Sequence, residues 1–272
     1  WDAAGYEVFM GVNVPCKAFG EVVEHAAHTP SISAEELHAM QSSGEKVVIL
    51  DGRTPAEFNR MSIPGGVSVP NAELVYRVHD FAPEPDTTVV VNCAGRTRSI
   101  IGAQTLINAR IPNKVVALRG GTMGWRLAGF ELDHGSDRSY GDLSAAARDQ
   151  ALTYADGMKT HWSVKTIDRA TLEKWRAEEN RTTYLLDVRS QEEFEAGHMP
   201  GSVFAPGGQL VQGTDQYCGT KGARIVLLDD ETNVRAVTTA LHAGSVSRTN
   251  PSRSKKLKSN LTPVVWLTLS QW

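Results

Sequence analysis

The sequence predicts an α/β fold in two tandem copies, each a parallel central sheet flanked by helices, the second copy incomplete. Three observations predict it. Apolar, β-branched runs without polar alternation, such as Lys46-Val-Val-Ile-Leu50 and Thr87-Thr-Val-Val-Val91, read as strands buried on both faces. Helical stretches separate these runs, which is the pattern of a parallel sheet with helices on its faces. The pattern also repeats. Asp51-Gly-Arg53-Thr-Pro-Ala-Glu57-Phe58 returns as Asp187-Val-Arg189-Ser-Gln-Glu-Glu193-Phe194, an offset of 136 residues (187 less 51), and Ile63-Pro-Gly-Gly-Val67 returns as Met199-Pro-Gly-Ser-Val203 at that offset.

The elements follow in order. Ser33 is placed to cap a helix, with Glu36 completing a capping box, and Asp168 takes the same place in the second copy. Lys46–Leu50 is a buried strand, and Pro55 opens a helical turn that carries Glu57 and Phe58. Gly65–Val69 is a second short strand, followed by a helix around Glu73 to Val78. Thr87–Val91 is the next strand, and Ser99 to Ala109 a helix. Lys114–Leu118 is a strand ended by Gly120-Gly121, with a helix near Thr122 to Leu127.

These readings divide the chain into a closing segment of a preceding repeat with a connector (1–30), a complete copy (31–135), a linker (136–160), a truncated copy (161–241) and a tail (242–272). The first part rests on Trp1-Asp-Ala-Ala-Gly5-Tyr6-Glu-Val8, which echoes Trp125-Arg-Leu-Ala-Gly129-Phe130-Glu-Leu132 and suggests a piece of a longer array. The tail has no Asp or Glu and gathers Arg248, Arg253, Lys255, Lys256 and Lys258; it is expected to depart from the fold, disordered or irregularly packed. A net charge of −3 gives no reason to expect nucleic acid, and no apolar run reaches the length of a membrane span. Cys16, Cys93 and Cys218 are too scattered for a disulfide framework or a metal site, so the expectation is a reducing, cytoplasmic setting with no metal and no cofactor.

Chemistry concentrates in Cys93-Ala94-Gly95-Arg96-Thr97-Arg98-Ser99, between an apolar strand and a helix. In a parallel sheet the crevice beyond the carboxyl ends of the strands is where ligands bind. A tight turn there, relaxed by Gly95, gathers successive N–H groups into an anion-binding nest, reinforced by the positive end of the following helix. Such a nest stabilises a thiolate over a thiol, and Arg96 and Arg98 can hold an anionic substrate beside it. The loop is that of a nucleophile attacking a small anion. Phosphatase loops place five residues between cysteine and arginine; here Arg98 follows after four and Ser99 stands where that arginine would be. A smaller ring of amides suits a sulfane sulfur better than a phosphoryl group.

With these residues in place, the sequence resembles the rhodanese sulfurtransferase family in tandem form. Cys93 to Arg98 is similar to the family's active-site loop, Asp51 to Phe58 with Ile63-Pro-Gly-Gly to its first signature, and Gly120-Gly-Thr-Met-Gly-Trp125-Arg-Leu-Ala-Gly129 to its closing one. The resemblance implies that Cys93 takes the outer sulfur of thiosulfate as a persulfide and passes it to cyanide or a thiol acceptor. A 3-mercaptopyruvate donor is the variant, disfavoured by the two loop arginines. Family members often carry a substrate-contacting arginine where this chain has Glu57. A weakly catalytic sulfur-binding or regulatory module is the rival class, and a phosphatase a distant third.

In the second copy the offset puts Asp229 at the place of Cys93 and Val234 at that of Arg98. A carboxylate cannot carry sulfur, so that copy is expected to be silent, covering the active loop and narrowing its entrance. Asp51 and Arg53 recur as Asp187 and Arg189 in the silent copy, which assigns them to the fold. Cys218 reads as a free surface thiol, His198 as a structural hydrogen-bonding residue, and Trp1 and Trp125 as core anchors.

Overall fold

A computed structural model describes residues 14–220, 222–240 and 264–268. The first copy runs through helix α1 (Val14–Ala27), strand β1 (Ser31–Ile32), α2 (Ala34–Ser43), β2 (Val47–Asp51), α3 (Pro55–Arg60), β3 (Val67–Ser68), a 3₁₀ turn (Asn71–Glu73), α4 (Leu74–Phe81), β4 (Thr88–Asn92), α5 (Thr97–Asn108), β5 (Val115–Leu118) and α6 (Gly121–Leu127). The second follows through α7 (Ala145–Trp162), β6 (Lys165–Thr166), α8 (Arg169–Ala177), β7 (Thr183–Asp187), α9 (Gln191–Ala196), β8 (Val203–Phe204), α10 (Gly207–Gln212), α11 (Thr214–Tyr217), β9 (Arg224–Asp229), a helix at 234–240 and β10 (Val264–Thr268).

Each copy forms a five-stranded sheet, in the orders β1-β5-β4-β2-β3 and β6-β10-β9-β7-β8. All strand pairings within them are parallel. The two orders are the same once the copies are superposed. Register matches as well: Asp51 pairs with Asn92, and Asp187 with Leu228. Cys93 and Asp229 therefore follow equivalent strand positions.

The tail corrects an expectation. Residues 264–268 form β10, which lies between β6 and β9 and takes the place that β5 holds in the first sheet. Pro263-Val-Val-Trp-Leu-Thr268 is a short β-branched and aromatic run, suited to a strand; the polar, basic stretch before it hides that signal. Residues 1–13 and 241–263, with the Trp1 echo and the basic run, lie outside the described residues.

Local chemistry explains the main elements. Ser33 accepts from Glu36 N while the Glu36 carboxylate takes Ser33 N–H, and Asp168 accepts from Thr171 N. Thr54 with Glu57 and Ser190 with Glu193 form two further capping boxes. Side chains alternate across the first sheet: Val89 and Val91 join one apolar cluster, Val90 the cluster on the opposite face with Leu37, Ile49, Ile63 and Trp125. The first cluster continues into the second copy through Leu186, Leu227 and Val237. The segment 136–160 is not merely a spacer, because α7 buries Ala151, Tyr154, Ala155 and Met158. Among the described residues no helix is long and apolar enough to cross a membrane, and no group of three or more His, Cys, Asp or Glu could hold a metal ion.

Candidate active site

Cys93 lies just beyond the carboxyl end of β4, and α5 begins at Thr97, two residues earlier than the sequence suggests. The cysteine is only 2% exposed, yet it belongs to none of the three apolar clusters. Its Sγ lies 3.5 Å from Ser99 Oγ, which donates to Arg96 O at 2.7 Å. Between them, residues 94 to 99 offer six successive backbone N–H groups, none of which donates to an acceptor among the described residues. Four of the helix's first N–H groups lack partners by construction, and the turn adds the rest.

Two signatures support this loop from behind. Arg53 holds Asp51 through Nε at 2.8 Å and Nη2 at 2.7 Å, with both side chains 1% exposed. Asn92 Nδ2 donates to Asp51 Oδ2 at 2.7 Å and to Thr122 Oγ1 at 3.0 Å, and Thr122 donates to the Cys93 carbonyl at 3.1 Å. Thr122 N and Met123 N bond Cys93 O and Ala94 O at 2.8 and 3.1 Å. A continuous buried network thus runs from the first signature through the closing one to the backbone of Cys93. Asn71 Nδ2 holds Arg98 O at 2.9 Å, in space left by Gly52 and Gly102. The second copy repeats the pair, with Arg189 on Asp187 at 2.9 and 2.7 Å.

Both loop arginines are already engaged. Arg98 makes two 2.7 Å bonds to the Glu57 carboxylate. Burial acts against its charge, but Glu57's bonds and charge, with smaller contributions from Cys93 and Asp51, leave its pKa raised. Burial likewise acts against ionised Glu57, and Arg98 and Thr54 outweigh it, bringing the carboxyl down to about 2. Arg96, half exposed, pairs with Glu24 and, at 3.4 Å, with Glu21 of α1. Those partners lie more than seventy residues away in sequence, so no local pattern could have flagged them.

The second loop is occupied by its own side chain. Asp229 accepts from Asp230 N at 2.8 Å and Ala236 N at 2.9 Å, with Arg235 Nη1 at 3.4 Å. Burial and the charge of Asp230 push its pKa up to about 7 despite Arg235 and those amides. Arg235 also bonds Glu73 of the first copy at 2.5 Å, and Tyr76 OH bonds Asp230 at 3.3 Å. These inter-copy bonds, and the packing of Gly207 and Gly208 on Asn71 and Ala72, run to the 3₁₀ turn and α4 rather than to residues 93–98. On the loop's own side, α1 is the element laid against it, through Arg96 with Glu21 and Glu24 and through Gly20 against Thr97. Of the remaining candidates, Cys218 is a free, half-buried thiol pushed up to about 11 by burial. His198 bonds Phe194 O and stacks on its ring, and Trp125 is 2% exposed with its Nε1 on Glu131 O.

A family model described as "Rhodanese-like domain" matches residues 33–128 and 168–254. The chain belongs to the rhodanese family. The crystal structure of a thiosulfate sulfurtransferase from Pseudomonas aeruginosa is 50% identical with a TM-score of 0.86, covering all of this chain and 49% of that one. A protein called sulfurtransferase from Allochromatium vinosum is 29% identical over 101 residues, 37% of this chain and 92% of its own. The HTH-type transcriptional regulator Rv0324 of Mycobacterium tuberculosis is 30% identical over 112 residues, 41% of this chain and 48% of its own. The rhodanese chain described here thus spans about half the length of two of these three relatives, and the family match takes in β2 to β5 of the first sheet and β7 to β9 of the second.

Proposed function

We propose that this chain is a sulfurtransferase whose nucleophile is Cys93, with thiosulfate as donor and cyanide or a thiol as acceptor. The observation that carries this reading is the run of six N–H groups, 94 to 99, without acceptors among the described residues, beside a sulfur that sits outside the apolar clusters. A preorganised set of amides needs no rearrangement to receive an anion. The Cys93 thiolate attacks the outer sulfur, the S–S bond of thiosulfate breaks, and sulfite leaves with the bonding pair. The persulfide that remains keeps one negative charge, which the amides of Ala94 to Ser99 hold. An acceptor thiolate or cyanide then takes the outer sulfur and returns the electron pair to Cys93. The likeness to a thiosulfate sulfurtransferase supports the choice of donor.

Cyanide-dependent thiocyanate formation tests the reading. The native chain is expected to turn over and Cys93→Ala to be inert, and mass spectrometry after thiosulfate is expected to find one added sulfur, on Cys93. Equal rates in the two proteins would leave the rival, a sulfur-binding or regulatory module. That rival is favoured by one feature: Arg96 and Arg98 are both paired with glutamates before any substrate arrives.

A further inference from the structure

We propose that the cleft between α1 and the Cys93 loop is the acceptor subsite, and that the acceptor is a zwitterionic thiol, bearing both an ammonium and a carboxylate. The inference rests on the sulfurtransferase reading and names the substrate class of its second step. The cleft, of about 670 Å³, is open and lined by Glu21, Glu24, His25, His28, Thr29 and Arg96. Arg96 belongs to the loop that carries Cys93, so that loop forms one wall of the cleft. Its opposite wall is held in place: Val23 is buried in the main cluster, and a β-carbon at Gly20 would stand only 2.7 Å from Thr97 Cγ2.

The charge pattern selects the ligand. One guanidinium faces two carboxylates here, and Arg96 and Glu21 are more than half exposed. A dianion would meet more negative than positive charge. A ligand with both signs replaces the Arg96–Glu pairs with two of its own, its carboxylate on Arg96 and its ammonium between Glu21 and Glu24. Exchanging exposed pairs in this way costs little, since each is worth little in water. His28 adds a second indication. It ends α1 with φ at 52°, a left-handed conformation that glycine or asparagine adopts more readily, and its ring shares the cleft with His25, 6.5 Å away between centroids.

The transfer balances as written. The acceptor's S–H proton passes to an imidazole of the cleft, its sulfur bonds the outer persulfide sulfur, the Cys93 Sγ–S bond breaks, and Cys93 recovers its thiolate. The products are the acceptor persulfide and the starting enzyme.

The experiment separates this inference from the reading beneath it. Persulfide formed with thiosulfate is first quantified by mass, then mixed with cysteine, cysteamine or 3-mercaptopropionate at equal thiolate concentration. Cysteine is expected to discharge the persulfide at least tenfold faster than either analogue. Glu21→Gln/Glu24→Gln is expected to erase the advantage over 3-mercaptopropionate while persulfide still forms. In parallel, binding of S-methylcysteine, which cannot react, is followed on the unreacted chain by the imidazole NMR signals of His25 and His28. Saturable shifts, lost in the double variant, support the subsite. Equal discharge by all three thiols, or no shifts, overturns it and leaves the sulfurtransferase reading standing. Failure of the persulfide to form overturns that reading, and with it the acceptor role of the cleft.

Discussion

Gly121→Ala should damage the loop more than its size suggests. Gly121 has φ of 54°, and a β-carbon there would lie 2.8 Å from Gly95 N and 2.9 Å from Gly95 O, and against the Cys93 carbonyl. The left-handed conformation alone costs an alanine about 1–2 kcal/mol. Forcing a methyl group into filled space adds about 1–3 kcal/mol, offset by about 0.4–1 kcal/mol from a stiffer unfolded chain. The net loss is roughly 2–4 kcal/mol, a fall in Tm of about 4–16 °C at roughly 2–4 °C per kcal/mol. Gly129 is the control. Its φ is 88° with nothing within 4 Å, so Gly129→Ala carries only the conformational cost, about 0–1.6 kcal/mol after the same offset. Calorimetry gives both Tm values, and persulfide formation below both transitions reads the loop. The reasoning fails if the two variants melt together, or if Gly121→Ala takes up sulfur at the native rate.

Three further outcomes are expected. Glu57→Gln should cost about 1 kcal/mol in urea unfolding at pH 7, a charge-assisted pair discounted for the exposure of Glu57. Because the Glu57 pKa is depressed to about 2 in the fold, the native advantage is present above the unfolded value near 4.3 and shrinks as pH falls toward 2, so the gap should narrow between pH 6 and pH 3. Asp229 is shifted the other way, to about 7. Its contribution is full below about pH 4 and lost as pH rises to 7, so Asp229→Asn should gain stability relative to the native chain over that window; a constant difference would contradict the assignment. Arg53→Leu leaves Asp51 buried without its partner and should cost about 3–5 kcal/mol, seen as loss of soluble protein or a much lower urea midpoint.

How far the sequence carries can be read from particular residues. The 136-residue offset located Cys93 and Asp229 at equivalent strand ends because strand register fixes the loops that follow. The recurrence of Asp51 and Arg53 in a copy without a thiol points to a folding role rather than a chemical one, and both pairs are bidentate, the first fully buried and the second with Arg189 partly so. Other features depend on tertiary approach. Gly121 meets the Cys93 loop through a turn that spacing alone does not disclose. The contacts of Arg96 with Glu21 and Glu24 join segments with no shared pattern. The helix start at Thr97 was missed because Arg96 caps it without a side-chain hydrogen bond. The final strand was missed because its five residues follow a long polar stretch.

Asp229 has a consequence for how the two halves respond to solutes. A side chain tethered in its own nest is a ligand that dilution cannot remove, so the second half holds its occupant whatever the solute concentration. The first half has no carboxylate at that place in its loop and takes its anion from solution. Added thiosulfate should therefore raise the melting temperature through the first half alone, and a cysteine installed at 229 would surrender a permanent occupant for an occasional one.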